Sequence, residues 1–501
     1  MPVFAPIPLG QTIPPKAHAV SCSLPTMADV VGYEEKDPNI TRHLHSGYPR
    51  FLLHRDITEL TAELTRELGL SAQTLWLTCS PRMATALAAE LHPARCEPVN
   101  HHGISGVAHP ESADLFQHAK CFLQNVGGFL SSRHAEDELV RRGLRPAAAS
   151  EDHASLDTAG DTIRNVLVQA HAGAAPEDIL LAPSGMNAFH AAWRTLADLQ
   201  ATRGRTVWIQ FGWLYLDTIA QLKRFAPTDG DYVGLTDVND LDALEAAIAS
   251  AGDRLAGLVT EVPTNPLVHT ADIAEVARRI HGAGGRMLLD PTLVSPFNIR
   301  LLEHADVVVN SLTKYAANQG DVIAGSVILN PHGPDADELR QRIARQIDPI
   351  YPRDLTRLAA QIGDYEPTVM RTNESARAVV DFLQAHPAVK SVFWSRQPAT
   401  QANYLKIARS PGHIGSMISF TTHKPLATVY DALPLPKGPS FGMRNTLVCP
   451  YIYLAHYDLI TSEAGRAELA AAGLDPDLLR LSVGTEPAEE IITALRAGLD
   501  A

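Results

Sequence analysis

Residues 306–315 read DVVVNSLTKY, an apolar run of strand length that ends before Ser311 and is followed closely by Lys314. A lysine in this place extends from the carboxyl end of a strand, which is where α/β sheets bind their ligands. Its amine is a nucleophile only when neutral, and burial lowers the pKa of a lysine. Most lysines are solvated, so this stretch needs support from the rest of the chain.

Strands and helices alternate on both sides of this stretch. The predicted strands span residues 179–182, 206–210, 257–261, 286–290, 307–310 and 322–329, and the predicted helices span 187–199, 241–250 and 271–283. Strand-length apolar runs that alternate with runs of helical periodicity indicate an α/β domain with a mainly parallel sheet. We place this domain at residues 51–370.

Three other regions accompany the α/β domain. The prolines at positions 6, 8, 14, 15 and 25 exclude a long helix there, which predicts that residues 1–50 form an extended N-terminal arm. Residues from about 75 to 178 form an insertion, in which residues 145–160 are rich in Ala, Ser, Asp and Gly and predict a mobile loop. A change of rhythm after residue 370 predicts a smaller C-terminal α+β domain at 371–501.

Composition limits the classes of partner. The 501 residues carry 42 Lys and Arg against 56 Asp and Glu, a net charge of −14 that opposes non-specific binding to nucleic acid or anionic membranes. No apolar run approaches the roughly 20 residues that cross a bilayer, and residues 1–16 do not resemble a signal peptide. The five cysteines lack metal-site or redox spacing. We therefore predict a cytoplasmic protein without nucleic-acid or membrane partners.

One histidine-containing segment is a candidate for a metal site. His101, His102 and His109 lie in a segment that has no regular pattern and no ligand-like partner. Solvated loop histidines are the commoner case, so we predict no metal site.

Ser184-Gly185-Met186 follows a predicted strand and opens a predicted helix. Backbone N–H groups at a helix N-terminus, beside a residue small enough for close approach, form a cup for phosphate. A plain tight turn would give the same pattern, so this feature is weak when taken alone.

Two charged residues extend the pattern. Asp290 ends the apolar run 286–290, where a carboxylate suits the protonated ring nitrogen of pyridoxal phosphate (PLP), although a helix cap is an equal alternative. Arg480 heads a run of strand character, and its guanidinium fork matches an α-carboxylate, although a surface arginine is as plausible. The phosphate cup, the acid, the lysine and the arginine occur together in the order that a PLP enzyme of fold-type I requires. The hydroxyls of Ser311 and Thr313 complete the pattern as phosphate donors.

Several motifs resemble those of the Cys/Met-metabolism family of PLP-dependent enzymes: TEVPTNP at 260–266, DPT at 290–292, SLTKY at 311–315 and RLSVG at 480–484. Residues 18–21 (HAVS), 47–51 (GYPRF) and 211–218 (FGWLYLDT) are similar to the long fungal-type cystathionine γ-synthases. The resemblance implies a fold-type I transferase with a mainly parallel seven-stranded sheet, helices on both faces and a smaller C-terminal α+β domain.

The resemblance also implies a role for each matching residue. Lys314 is expected to bind PLP as a Schiff base and to shuttle protons, with Asp290 at the pyridine nitrogen. Phe211 replaces the tyrosine that usually stacks on the ring, and we count Lys314, Phe211 and Tyr48 as catalytic. The other expected cofactor ligands are Ser184, Gly185, Met186, Asn265, Thr292, Ser311, Thr313, Tyr48 and Arg50, and the expected substrate ligands are Asn265, Ser440 and Arg480.

Tyr48 and Arg50 match family residues that come from the neighbouring subunit. The resemblance therefore implies that the arm reaches a partner and that the chain forms a dimer or a dimer of dimers. The implied reaction is a γ-replacement that joins an O-acylated homoserine to cysteine and gives cystathionine, as in transsulfuration and methionine biosynthesis. A cystathionine or methionine γ-lyase, an O-acylhomoserine sulfhydrylase and a non-catalytic interaction protein of the same fold remain alternatives.

Overall fold

The computed structural model describes residues 4–501, so the first three residues of the predicted arm lie outside the described residues. The arm contains a short antiparallel pair and two helices: β1 (Thr12–Ile13), β2 (Ser21–Cys22), α1 (Met27–Glu34) and α2 (Pro38–Thr41). The side chain of Thr26 accepts a hydrogen bond from the Asp29 N–H, and Asp29 bonds back to the Thr26 backbone. This capping box fixes the start of α1.

The arm packs on its own chain. The Leu24 N–H donates to the Lys437 carbonyl at 3.0 Å, and the Tyr430 hydroxyl donates to the Leu24 carbonyl at 2.8 Å. Val30 and Tyr33 of α1 are buried in the core of the C-terminal domain. The arm is thus held by the chain that carries it, whereas the sequence predicted that it reaches a neighbour.

The insertion is a compact α/β unit with its own core. Its elements are α3 (Arg55–Glu67), β3 (Gln73–Thr78), α4 (Pro81–Glu90), β4 (Glu97–His101), β5 (Ile104–Pro110), α5 (Ala113–Val126) and α6 (Ser132–Arg141). The strands form an antiparallel sheet in the order β3-β5-β4. Ile57, Leu60 and Leu64 of α3 belong to this core. The unit therefore begins about 20 residues before the predicted boundary, because the apolar stripe of α3 packs on the inserted sheet.

The large domain contains a seven-stranded sheet in the order β6-β12-β11-β10-β9-β7-β8, in which only β12 runs antiparallel. Its elements are α7 (Leu156–Ala170), β6 (Ile179–Ala182), α8 (Gly185–Ala201), β7 (Val207–Phe211), α9 (Leu216–Arg224), β8 (Tyr232–Leu235), α10 (Leu241–Ala251), β9 (Leu255–Glu261), α11 (Ile273–Gly282), β10 (Arg286–Asp290), β11 (Val307–Ser311), β12 (Gly325–Leu329), α12 (Ala336–Gln346) and α13 (Pro352–Gln361). The predicted mainly parallel seven-stranded sheet is confirmed.

Helices cover both faces of this sheet. On one face, α8 packs against Leu288, Val307 and Val309. On the other face, α7, α10 and α11 pack against a set of alternate residues that includes Leu289 and Val308. Because side chains alternate along a strand, each position in β7 to β11 is committed to one face or the other.

The C-terminal domain has an antiparallel sheet in the order β13-β14-β16-β15. Its elements are α14 (Tyr365–Ala385), β13 (Val389–Phe393), α15 (Gln401–Ile407), β14 (Met417–Thr422), α16 (Leu426–Ala432), β15 (Leu447–Pro450), α17 (Tyr451–Ala455), α18 (Tyr457–Ile460), α19 (Glu463–Ala471), β16 (Leu479–Ser482) and α20 (Ala488–Asp500). The predicted boundary at 371 falls inside α14, which begins at Tyr365. A proline at position 367 is tolerated there because it lies in the first turn.

The predicted loop at 145–160 is only partly a loop. Helix α7 begins at Leu156, and its buried Ala159, Ile163 and Leu167 show helical spacing. The preceding residues are also anchored, because Arg133 donates two hydrogen bonds of 2.8 Å to the Glu151 carboxylate. The small-residue composition of this segment gave no indication of the ion pair between Glu151 and Arg133. Within residues 4–501, no helix is both long enough and apolar enough to cross a membrane.

Candidate active site

A cavity of about 100 Å³, here called the central cavity, lies at the carboxyl ends of the parallel strands. Glu261, Asp290 and Ser311 end β9, β10 and β11 and line it together. The first turn of α8, the arm and the C-terminal domain supply the remaining walls. The lysine and charged residues singled out in the sequence therefore meet at one edge of the sheet, as a ligand site in an α/β fold requires.

Lys314 faces the central cavity from the turn after β11. Its Nζ donates to the Ser440 Oγ at 3.2 Å and lies 4.6 Å from the centre of the Tyr48 ring. Burial, and secondly the positive charge of Arg480, lower the pKa of Lys314 to about 7. A large fraction of the amine is thus neutral near pH 7, which a nucleophile that attacks an aldehyde requires.

Asp290 and Glu261 form a pair of buried carboxyl groups on adjacent strands, directly opposite each other in the register of β9 and β10. Asp290 accepts a hydrogen bond from the Thr292 N–H at 2.7 Å, and Glu261 accepts one from the Tyr215 N–H at 2.5 Å. Burial raises the pKa of Asp290 to about 6. Burial and the neighbouring charge of Asp290 raise the pKa of Glu261 well above its usual range. The pair therefore prefers one negative charge at neutral pH.

The first turn of α8 and Ser311 form the end of the cavity that suits an anion. A Cβ atom on Gly185 would lie 2.8 Å from the Ser311 Cβ, so only glycine allows this close approach. The Ser311 Oγ is buried and has no hydrogen-bond partner among the described residues. The N-terminus of α8 adds backbone donors and a positive dipole. Gly185, Met186 and Ser311 are thus brought together as predicted.

Three other predicted cofactor ligands are placed differently. Ser184 caps α8 by accepting from the Asn187 N–H at 3.0 Å, and it lines a neighbouring cavity. Thr313 is fully buried, and its hydroxyl exchanges hydrogen bonds with the backbone of Ala324 at 3.1 and 3.2 Å. Thr292 lines the central cavity, but its hydroxyl accepts from the Ser311 N–H at 2.9 Å. All three hydroxyls form hydrogen bonds within the protein. The prediction that Thr313 binds the phosphate is therefore corrected.

Tyr48 and Arg50 line the central cavity of their own chain. The Arg50 Nε lies 3.5 Å from Asp217 Oδ2, and it is buried without a hydrogen-bond partner among residues 4–501. A guanidinium with a free donor that lines the same cavity as Gly185 and Ser311 suits a phosphate. The chain's own arm therefore brings both residues to the site of the same chain, whereas the resemblance implied that they come from a neighbouring subunit.

Phe211 is not at the cavity. Its side chain is fully buried in the core on the opposite face of the sheet, together with Ile209, two positions before it. The alternation along β7 therefore turns Phe211 away from the face that carries Asp290 and Ser311. Tyr215, at the start of α9, lines the cavity instead. The prediction that Phe211 stacks on a cofactor is corrected, and Tyr215 is among the aromatic side chains that line the cavity in its place.

The end of the cavity near the C-terminal domain suits a carboxylate. Arg480 donates to the Asn265 Oδ1 at 3.2 Å and lies close to the Ser440 carbonyl at 3.4 Å. Its guanidinium lies 4.6 Å from the centre of the Tyr451 ring, and the Tyr451 hydroxyl accepts from the Asn265 Nδ2 at 2.9 Å. The three predicted substrate ligands thus meet as expected.

Sequence reasoning missed Glu261, Tyr215 and Tyr451. Glu261 lies in the motif at 260–266 and Tyr215 in the motif at 211–218, in both cases close to a residue with an expected role. Tyr451 carried no local signal, because it reaches the cavity through the packing of α17 on α1 and β15.

The histidines of the insertion do not form one group. His101 and His102 lie near Glu67, whereas His109 is buried and accepts a hydrogen bond from the Trp76 Nε1 at 3.1 Å. All five cysteines are free thiols.

These residues fit PLP. A phosphate would find two buried donors without partners in the described part of the chain, the Ser311 Oγ and the Arg50 Nε. The glycine at the start of α8 would let it approach the backbone closely. Asp290 provides for a protonated ring nitrogen, and Lys314 provides the amine that the aldehyde of PLP binds.

Comparison with known proteins agrees with this geometry. The family model described as "Cys/Met metabolism PLP-dependent enzyme" matches residues 164–500. The chain is 38% identical over 489 residues to an L-2-amino-4-chloropent-4-enoate dechlorinase/desaturase of Streptantibioticus cattleyicolor. This match covers 97% of each chain. It is 29% identical to the cystathionine γ-synthase of Neurospora crassa, covering 99% of this chain and 98% of that one.

Solved structures share the fold. A cystathionine γ-synthase from Xanthomonas oryzae pv. oryzae superposes with a TM-score of 0.58 and 23% identity, covering 68% of this chain and 87% of the other. The architecture is that of fold-type I PLP enzymes, and the cofactor is pyridoxal 5'-phosphate. Because the family model matches residues 164–500, in the large and C-terminal domains, this chain belongs to the Cys/Met-metabolism family of PLP-dependent enzymes.

Proposed function

We propose that the chain eliminates a leaving group from the γ-carbon of an L-α-amino acid. The observation that supports this proposal is the distribution of positive charge around the central cavity. Within residues 4–501, three cationic side chains line it: Arg50, Lys314 and Arg480. Arg50 suits the phosphate of PLP, Lys314 is the reactive amine, and Arg480 suits the carboxylate of one substrate.

This set of three cationic side chains favours a reaction with a single amino-acid substrate. A replacement by cysteine would bring a second α-carboxylate into the site. The described lining of the central cavity offers no fourth cation to pair with it, and a buried unpaired carboxylate is strongly disfavoured. Elimination from one substrate leaves every charge paired.

The side chains of this chain would share the work as follows. PLP, when bound, supplies the electron sink. Arg480, with Asn265 and Ser440, would hold the substrate carboxylate and so orient the α-carbon. The Nζ of Lys314 would take the proton from Cα, pass it on, and then take one from Cβ, since a pKa of about 7 lets the amine act as base and acid near neutral pH. A proton would return to Cα at the end, so that one proton in all is lost with the leaving group.

The remaining wall of the central cavity is apolar. Phe51, Met186, Phe441 and Leu454 line it. Such a wall suits a small apolar γ-substituent. The substrate named for the Streptantibioticus relative carries its chlorine on C4, the γ-carbon, which is also the inner carbon of a terminal C4=C5 double bond. We therefore propose L-2-amino-4-chloropent-4-enoate or a close analogue as substrate, which would lose HCl and gain one unsaturation.

A γ-replacement, as predicted from the sequence, is the second candidate. A larger cavity of about 340 Å³, here called the outer cavity, shares Tyr48, Arg50 and Met186 with the central cavity. It offers room for a second substrate such as cysteine. A γ-lyase or sulfhydrylase would use the same first steps. The cytoplasmic location remains a prediction from composition.

The experiment that tests the proposal compares two substrate sets. Purified enzyme receives either L-2-amino-4-chloropent-4-enoate alone or O-acetylhomoserine with cysteine, and chloride and cystathionine are quantified. We expect one chloride per amino acid consumed without any added thiol, and none with the Lys314→Ala variant. Cystathionine formation without chloride release would establish replacement instead. Turnover of neither set, in a protein that retains PLP, would contradict both candidates.

A further inference from the structure

The insertion approaches the active site at the end of α5, where Asn125 bonds to Asp217. We propose that Asn125 of α5 is a positioning residue, which fixes Asp217 and through it sets Arg50 at the phosphate end of the central cavity. The inference rests on the PLP assignment and is independent of which substrate the enzyme takes.

Asp217 stands between the insertion and Arg50. It lies in the first turn of α9 and is only 3% exposed. Its Oδ1 accepts a hydrogen bond from the Asn125 Nδ2 at 3.1 Å, and its Oδ2 faces the Arg50 Nε at 3.5 Å. One carboxylate thus joins the insertion to the guanidinium that suits the phosphate.

Arg50 depends on this carboxylate for its orientation. Its side chain is 16% exposed, and Asp217 is the one ion-pair partner that it has among residues 4–501. The Nε is buried without a hydrogen bond in the same part of the chain. The guanidinium also lies 5.5 Å from the centre of the Phe51 ring, but Asp217 is its charged contact, so a movement of that carboxylate is expected to shift the guanidinium.

Asn125 itself is rigidly placed. It is 7% exposed in the last turn of α5, and its backbone carbonyl accepts a hydrogen bond from the Gln221 Nε2 at 2.6 Å. Helix α5 then ends at Gly127, where a Cβ atom would lie 2.1 Å from the Ser184 Oγ. The end of α5 therefore abuts the first turn of α8, the other half of the phosphate site.

The chemistry of the amide suits this role. An asparagine donates a hydrogen bond to Asp217 without adding charge, so Asp217 stays available to Arg50. A carboxylate in its place would repel Asp217, and a cation would compete with Arg50 for it.

The test measures PLP affinity, which requires no substrate. Asn125→Ala is compared with Asn100→Ala, an exposed asparagine of the same insertion. We expect the dissociation constant of PLP to rise about tenfold or more in Asn125→Ala, as for the loss of a hydrogen bond to a charged group. Asn100→Ala should bind PLP as the unaltered protein does. Unchanged affinity in a folded Asn125→Ala protein would overturn the proposal.

A swapped pair separates positioning from simple helix docking. The double variant Asn125→Asp with Asp217→Asn keeps one hydrogen bond between the two positions but moves the carboxylate away from Arg50. We expect its melting temperature to stay close to that of the unaltered protein while PLP binding remains weakened. Full PLP affinity in the swapped protein would show that Asn125 only docks the helix, and this variant decides the matter if Asn125→Ala fails to fold.

Discussion

At the scale of single residues, the amine of Lys314 sets the pH at which the apo-enzyme takes up PLP. Burial lowers its pKa to about 7, and only the neutral amine attacks the aldehyde. The rate of reconstitution should therefore rise with pH, with a midpoint near pH 7, and level off above it. Stopped-flow absorbance after mixing apo-enzyme with PLP measures this rate.

The Arg480→Met variant supplies the control for this midpoint. The charge of Arg480 is the second cause of the lowered pKa, so its removal should move the midpoint to higher pH. A reconstitution rate independent of pH in both proteins would contradict a nearly neutral Lys314.

The two buried carboxyl groups should differ in their tolerance of an amide. Asp290 carries the charge that pairs with the ring nitrogen, so Asp290→Asn should lower kcat by about 10²-fold or more. Burial, and secondly the charge of Asp290, raise the pKa of Glu261, which favours its neutral form. Glu261→Gln should therefore keep kcat within about threefold, since an amide replaces a protonated carboxyl with little change in shape. Equal losses in both variants would refute this division.

At the scale of elements, strand β7 decides which aromatic ring faces the cofactor. The Phe211→Tyr variant would bury a hydroxyl in the core on the far face of the sheet. The free energy of unfolding should fall by about 1–3 kcal/mol, as for an unsatisfied buried polar group, while the PLP spectrum stays unchanged. Urea denaturation and absorbance measure the two effects. A variant with altered PLP absorbance and unaltered stability would return Phe211 to the active site.

The elements also show where sequence reasoning succeeds. Lys314 and Asp290 were predicted correctly in position because a residue that ends a parallel strand lies at the ligand edge of the sheet whatever its neighbours are. Phe211 was misplaced because one residue along a strand changes the face, and the motif did not define that register. Thr313 was misassigned because its hydroxyl found a backbone partner, Ala324, eleven residues later.

At the scale of the whole molecule, the arm completes the site of its own chain. The sequence could not predict this, since the family motif is the same whether Tyr48 and Arg50 enter the site of their own chain or that of a neighbour. The hydrogen bonds of Leu24 with Lys437 and Tyr430 hold the arm on its own C-terminal domain.

A subunit-mixing experiment tests this arrangement. Lys314→Ala and Arg50→Ala proteins, each impaired, are unfolded, mixed and refolded, and activity is compared with that of each protein refolded alone. Sites built within one chain predict no gain in activity on mixing. Sites shared between chains would form one intact Lys314 and Arg50 pair in every mixed dimer, and the resulting gain would contradict the structure.

The bond between Lys314 and PLP is the claim on which the other assignments depend. Reduction of the holoenzyme with borohydride, followed by proteolysis and mass spectrometry, locates the lysine that carries the cofactor. We predict that the pyridoxyl group lies on Lys314 alone, in a peptide that contains residues 311–315. A label on any other lysine, or a reduced enzyme without a label, would contradict the account.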